Sequence, residues 1–163
     1  MKTVYLLLGT NLGYRIQNLS DATILIEKEI GCIINKSSIY ETEPWGVADQ
    51  DNYLNQVLVI QSDLCATAIL EKVLSIEKKL GRERTTKYAA RTIDIDILFY
   101  NNEIVLEDHL KIPHPFIHKR RFVLEPLNEI SPQFKHPLLQ KTIGELLAEC
   151  DDTGVVTKIN RDI

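Results

Sequence analysis

Two aspartates, Asp94 and Asp96, stand in the segment Arg91-Thr92-Ile93-Asp94-Ile95-Asp96-Ile97-Leu98-Phe99-Tyr100, which alternates strictly from Thr92 to Ile97. A β-strand points successive side chains to opposite faces, so Ile93, Ile95, Ile97 and Phe99 are expected on one face and both carboxylates on the other. Their Cα atoms would then lie about 6.5–7 Å apart. Two carboxylates held that close repel unless water or a cation screens them. An antiparallel sheet can leave one face wet, which is the simplest account of such a pair. Aspartate is nevertheless depleted in strands. A diacid in an isoleucine-rich strand, with arginine just upstream, suits a phosphate-transfer site that holds Mg²⁺ through hard oxygen ligands.

The rest of the composition constrains that chemistry. Over 163 residues the chain is 44% hydrophobic and 26% charged, with net charge −4. These values describe an ordinary globular protein, expected as a single domain over 1–163. A negative chain carries no general affinity for nucleic acid, so phosphates must be met by local positive charge. The candidates are Arg82, Arg84, Lys87, Arg91, Lys119, Arg120 and Arg121. Cys32, Cys65 and Cys150 are widely spaced and form no C-x-x-C pair, so zinc and a disulfide framework are unsupported, and Cys32 and Cys65 are expected as small core residues. The apolar run Val4–Leu8 is too short for a signal peptide or membrane span. A cytoplasmic monomer is the expectation.

Hydrophobic periodicity supplies the elements that position these residues. Thr3 to Leu8 reads as a buried strand, then Gly9-Thr10-Asn11 turns into a helix with Ile16, Leu19, Thr23, Ile26 and Ile30 on one stripe and Gly31 as its stop. Cys32 to Tyr40 reads as one strand and Tyr53 to Gln61 as another, with a loop over 43–52 between them. Ser62-Asp63 is expected to cap a helix bearing Ile69, Val73, Ile76 and Leu80, stopped by Gly81. Residues 82–90 lack an apolar period and are expected as a mobile loop. Thr92 to Tyr100 is the fourth core strand, followed by a hairpin signal at Asn101-Asn102 into Ile104 and Val105. Short helices near 116–121 and 142–150 finish the chain. The order is an α+β fold with a ferredoxin-like βαββαβ core, helices packed on the sheet in α-β-α layers and added C-terminal elements. That architecture hosts many functions and does not select one.

No G-x-x-x-x-G-K-[ST] loop is present, and Gly9 with Gly13 is not a dinucleotide fingerprint. Metal and cationic side chains would therefore hold any ATP phosphates. Gly9-Thr10-Asn11-Leu12, Ser38–Gly46, Tyr53-Leu54-Asn55, Ile76-Glu77, Gly81-Arg82-Glu83-Arg84, Lys87–Leu98 and Pro113-His114 with Arg120 and Phe122 follow in a specific order. Together they resemble the 6-hydroxymethyl-7,8-dihydropterin pyrophosphokinase family of folate biosynthesis, over about residues 1 to 130. The R-x-x-D-x-D core is the specific part; G-T-N-L and P-H count only in register with it.

The resemblance implies transfer of the pyrophosphoryl group of ATP to the pterin hydroxymethyl with release of AMP, aided by two Mg²⁺ ions. Matched position by position, it implies Asp94 and Asp96 as metal ligands and Arg82 and Arg91 as phosphate clamps, a task suited to permanently charged forks. Glu77, Arg84, Ile97, Lys111, His114 and Arg120 would meet the nucleotide. Tyr53 and Phe122 would sandwich the pterin. Asn55 would donate to and accept from its amide-like edge, with Thr42, Pro44 and Trp45 completing that edge. The family's commoner R-W-G-P is Lys87-Tyr88-Ala89-Ala90 here, and Pro115 replaces an aromatic found after the histidine in some members. A D-x-D glycosyl- or nucleotidyltransferase and a non-catalytic ferredoxin-like module are the competing classes. Neither is expected to bind the reduced pterin alcohol.

Overall fold

The computed structural model describes residues 1–43, 51–81 and 92–159. The elements in chain order are β1 (Lys2–Thr10), α1 (Arg15–Glu29), β2 (Cys32–Lys36), β3 (Ile39–Thr42), β4 (Tyr53–Ser62), α2 (Ala66–Lys79), β5 (Asp94–Tyr100), β6 (Val105–Glu107), β7 (Leu110–Ile112), α3 (Arg121–Ile130), α4 (Ile143–Glu149) and β8 (Val156–Ile159). A short 3-10 turn, Ile117–Lys119, precedes α3. The main sheet runs β5-β1-β4-β3-β8, all neighbours antiparallel, with β2 also pairing to β4. Counting β2 and β3 as one bent strand, this is the ferredoxin-like order expected from the sequence.

Alternation along the central strands builds a core on each face. Val4, Leu6 and Leu8 of β1, Leu54, Leu58 and Ile60 of β4, and Ile95 and Ile97 of β5 meet Leu19, Ala22 and Ile26 of α1 and Ile69, Val73 and Ile76 of α2. On the opposite face Tyr5, Leu7, Val57, Val59, Leu98 and Phe99 pack against Val123, Leu124 and Leu127 of α3 and Ile143 and Leu146 of α4. Each side chain fully buried in this way stabilises the fold by about 1.5–3 kcal/mol, so the two apolar layers dominate the folding energy.

Several local expectations change. The strand expected over Cys32–Tyr40 is broken at Ser37, whose Oγ accepts from the Val57 N–H at 2.9 Å while its carbonyl accepts from Gln56 Nε2 at 2.8 Å. Ser62 does not cap α2, which starts after Cys65; its hydroxyl donates to the Ile30 carbonyl at 2.7 Å. Gly31 follows α1 as expected, yet it is also a contact point: a Cβ there would collide with the Gln61 carbonyl. Phe99 faces the second core rather than joining Ile95 and Ile97. A register shift opposite Tyr5/Leu6 inserts Leu98 as an extra residue in β5 and reverses the alternation from Phe99 onward.

The Asn101-Asn102 turn does not lead into a hairpin with β5; Asn101 instead bonds back to Thr3 through both backbone and side chain, and β6 pairs with β7. Helix α3 and strand β8 are elements that the apolar pattern did not announce. Cys32 and Cys65 are exposed, so these two are not core residues, while Cys150 is half-buried against the α3–α4 core. Among the described residues, no helix is long and apolar enough to cross a membrane.

His136 anchors the segment between α3 and α4. It is buried, packs edge-on against Phe99, and its Nδ1 accepts from the N–H groups of Leu138 and Leu139, each at 3.1 Å. Burial, with a smaller push from His118, lowers its pKa from 6.5 to about 4. Because the folded-state value lies below the unfolded one, the stabilisation is complete above pH 6.5 and is lost as pH falls toward 4. Thermal denaturation followed across that window is expected to show a falling melting temperature. His136→Asn, which keeps an acceptor but cannot titrate there, is expected to make the fall shallower, leaving the part due to His114, whose pKa is lowered over the same window.

Candidate active site

The register of three strands assembles the site. On β1, Gly9 is paired with Asn55 of β4 on one side and with Asp94 of β5 on the other. Asn55 is in turn paired with Tyr40 of β3. Residues directly opposite one another in an antiparallel sheet share a face. Tyr40, Asn55, Gly9 and Asp94 therefore form one row on the α3 side. Asp96 lies one row inward, opposite Leu7. Thr42, opposite Tyr53, lies one row outward. With neighbouring strands about 4.8 Å apart, Asn55 and Asp94 stand about 9–10 Å from each other across Gly9. The two aspartates thus share one face of the strand, as the alternation predicts.

Gly9 is required by its neighbour. A Cβ at this position would sit 2.8 Å from Asn55 Nδ2, because the carboxamide lies across the glycine and donates to the Leu8 carbonyl at 3.3 Å. Asn55 is buried, and its Oδ1 has no hydrogen-bond partner among the described residues. A buried acceptor left open costs about 1–3 kcal/mol, so it marks a place that a donor-bearing ligand would fill. Glycine inside a strand often signals such a close approach. From the sequence alone Gly9 is a turn landmark, because its contact with Asn55 exists only through the register.

Among the described residues the diacid strand lies at the edge of the sheet and pairs with β1 alone. Glu77 of α2, itself buried, accepts the Ile95 N–H at 2.8 Å. The α2 carboxylate therefore holds the backbone between Asp94 and Asp96. The side chain of Ile97 belongs to the core beneath, which leaves only its backbone to face a ligand.

The segment after β7 adds cationic and aromatic groups. His114 N–H donates to the Leu98 carbonyl at 3.1 Å, and His114 Nδ1 accepts from Phe116 N–H at 3.2 Å. That bond leaves Nε2 to carry the proton in the neutral ring. Burial lowers the His114 pKa to about 4, helped by the Arg120 charge and opposed by Asp94. The histidine is thus a neutral donor electrostatically coupled to both site charges. The Arg120 guanidinium lies 4.9 Å from the Phe116 ring centre and 5.8 Å from that of Phe122, which fixes it as a cation between two aromatic faces. Lys111 is exposed on β7, its Nζ donating to the Glu107 carbonyl at 3.2 Å. Arg121, by contrast, is engaged structurally: its side chain bonds Glu125 and the Asp152 carbonyl, while its N–H donates to the Asp152 carboxylate at 3.0 Å.

That last contact pins the C-terminal segment beside Phe122. A cavity of about 180 Å³ opens there between Thr42, Glu43, Phe122, Asp152, Gly154, Val155 and Val156. No motif in the sequence announced this wall. Pro44, Trp45, Arg82, Arg84 and Arg91, together with the variant segment 87–90, lie outside the described residues. The described ones place Thr42, Tyr53, Asn55, Asp94 and Asp96 on one sheet face, couple His114 to both Arg120 and Asp94, and set Phe122 beside Thr42. Among the described residues, no cluster of three or more acidic, histidine or cysteine side chains could hold a metal by itself. The donor set of two carboxylates nevertheless suits Mg²⁺, which takes one or two protein carboxylates and completes its shell with water and substrate phosphates.

Similarity to known proteins agrees with this geometry. A 2-amino-4-hydroxy-6-hydroxymethyldihydropteridine pyrophosphokinase of Aquifex aeolicus is 41% identical over 149 residues, covering 91% of this chain and 92% of its own. The enzyme of the same name from Bacillus subtilis is 38% identical, covering 93% and 87%. The Folic acid synthesis protein FOL1 of Dictyostelium discoideum is 37% identical over 96% of this chain, which spans 24% of that longer protein. In fold, the crystal structure of Plasmodium falciparum HPPK-DHPS wild type with SDX-DHP matches with a TM-score of 0.74 at 22% identity, over 91% of this chain and 43% of that one. Residues 5–132 match the pattern of 7,8-dihydro-6-hydroxymethylpterin-pyrophosphokinase, and the chain belongs to that family.

Proposed function

We propose that the chain transfers the pyrophosphoryl group of ATP to 6-hydroxymethyl-7,8-dihydropterin, giving the pterin diphosphate and AMP in folate biosynthesis. Family membership supports the activity. The single structural observation that carries the assignment of residues is the row Asn55–Gly9–Asp94. It sets an open amide acceptor at one end and a carboxylate pair at the other. A flat bicyclic ring with a hydroxymethyl arm spans such a row, its donor edge on Asn55 and its hydroxyl near the phosphates.

In this reading the pterin stacks between Tyr53 and Phe122, with Thr42, Pro44 and Trp45 along its edge. Asn55 Oδ1 accepts from the ring's N–H edge, which removes the cost of an unfilled buried acceptor. Asp94 and Asp96 would hold two Mg²⁺ ions, whose chemistry would be to neutralise charge on the transferring phosphates. Arg82, Arg91 and Arg120 grip the polyphosphate, and His114 donates to it from Nε2. Glu77 keeps the diacid strand in place, while Arg84, Lys111 and the Ile97 backbone meet the nucleoside.

The pterin oxygen forms a bond to the β-phosphorus as the bond from that phosphorus to the α,β-bridging oxygen breaks. AMP leaves with the bridging oxygen, and the hydroxyl proton passes to solvent. No phosphoenzyme is involved, since the carboxylates at the site are engaged as ligands. The unit acts as a single-domain cytoplasmic monomer on small molecules rather than nucleic acid, in keeping with its net charge of −4.

Asp94→Ala and Asp96→Ala are each expected to lower kcat by at least about 10²–10³, the scale for deleting one transition-state stabiliser, while the protein stays folded. Near-native activity in either folded variant would remove the metal assignment. Asn55→Ala is expected to raise the KM for pterin by roughly tenfold or more and leave that for ATP little changed. Gly9→Ala, which pushes the same carboxamide aside, is expected to act in the same direction. Phosphorus NMR of the complete reaction is expected to show AMP and pterin diphosphate in equal amounts. ADP with a pterin monophosphate would overturn the proposed attack at the β-phosphorus.

A further inference from the structure

The ladder between β3 and β4 ends at the pair Thr42–Tyr53, and both residues are assigned above to the pterin pocket. The last rung of an antiparallel ladder is the one most prone to opening, since nothing continues it. In this chain a group from the opposite side of the sheet closes it. Arg15, the first residue of α1, donates from Nη1 to Glu41 Oε2 at 2.9 Å and to the Asn52 carbonyl at 2.8 Å. Glu41 precedes Thr42 on β3, and Asn52 precedes Tyr53 on the way into β4, so one guanidinium nitrogen bridges both strand ends.

The direction of these contacts matters. Glu41 is paired with Leu54, whose side chain belongs to the core under α1 and α2. Arg15 and Glu41 therefore meet on the α1 face, while Thr42, Tyr53 and Asn55 face α3. The arginine is out of reach of a ligand on the pterin side. The start of α1 is itself tied down: Asn18 Nδ2 donates to Thr10 Oγ1 at 3.1 Å and to the Leu12 carbonyl at 2.8 Å, and Asn11 Nδ2 reaches the Asp51 carbonyl at 3.4 Å. The clamp is thus braced against the end of β1, the same strand that carries Gly9.

We propose that Arg15 is a positioning residue for pterin recognition, acting through Glu41 and Asn52 to hold the Thr42–Tyr53 rung closed from the far face of the sheet. The proposal rests on the assignment of Thr42 and Tyr53 to the pterin site. Such a half-exposed pair contributes little to global stability, so its effect falls on the rung it closes and not on the fold.

The test uses the full-length enzyme with Arg15→Met, Glu41→Gln and the double variant. Each single variant is expected to raise the KM for the pterin alcohol about threefold to tenfold while leaving kcat, the KM for ATP and the melting temperature near wild type. The double variant is expected to be no worse than the worse single one, because both break one clamp. Hydrogen exchange at the Thr42 and Tyr53 amides, measured without substrate, is expected to speed up in all three. A parallel rise in both KM values, additive effects in the double variant, or unchanged exchange at those amides would overturn the clamp. Absence of pterin-dependent AMP formation in the wild type would instead count against the proposed function, and the exchange measurement would still decide for or against the clamp.

Discussion

Everything at the site depends on the register of β1 between β4 and β5. Antiparallel pairing places Asn55, Gly9 and Asp94 in one row. A slip of one residue on either side would send the carboxamide or the carboxylates into the apolar layer under α1 and α2. The register is held by the two cores together. Val4, Leu6 and Leu8 must reach one helical layer, and Tyr5 and Leu7 the other. The shift near Tyr5/Leu6 is absorbed at Leu98, beyond the aspartates, so the irregularity leaves the site rows intact. Positions that never touch a ligand thereby decide where the ligand-facing groups stand.

A second consequence concerns charge. The chain is negative overall, yet His114, held neutral, feels both the Asp94 carboxylate and a cation set between two rings. Arg120 is immobilised by Phe116 and Phe122. His114 is desolvated and sits near Arg120, which together outweigh the attraction of Asp94. Phe122 supports that cation with its ring and also lines the cavity beside Thr42. It stands in the first turn of α3.

The C-terminal part enters the same economy of contacts. Glu129 of α3 accepts from Ser38 N–H and Oγ, Tyr40 Oη and Lys158 Nζ, which fastens α3 to β3 and β8. Its own acidity is strengthened by these donors against the opposing effect of burial, and burial beside it pushes the Tyr40 hydroxyl up to about 12. Strand β3, which carries Thr42, is thereby held from the α3 face by Glu129 and from the α1 face by Arg15. Residues beyond the family match at 5–132 thus wall the cavity beside Phe122 and brace the strand that lines it.

Local chemistry in the sequence determined the diacid strand, the helices α1 and α2, the ferredoxin-like order and the likeness to the pyrophosphokinase family. Each of these is written in residues close together: strict alternation for Asp94 and Asp96, a helical stripe through Leu19 and Ile26, another through Ile69, Val73 and Ile76. What had no local sign came from tertiary packing. Helix α3 carries Pro126 inside it, which speaks against a helix by propensity, yet burial of Val123, Leu124 and Leu127 outweighs that cost. Phe99 changed face because a bulge depends on the partner strand, and Cys32 proved exposed because burial depends on which face its strand turns outward. Gly9, Arg15 and Asp152 gained their roles only when residues 46, 26 and 31 positions away came into contact. A chain pattern encodes periodicity, but the row that joins an amide to a carboxylate pair exists only once three strands are side by side.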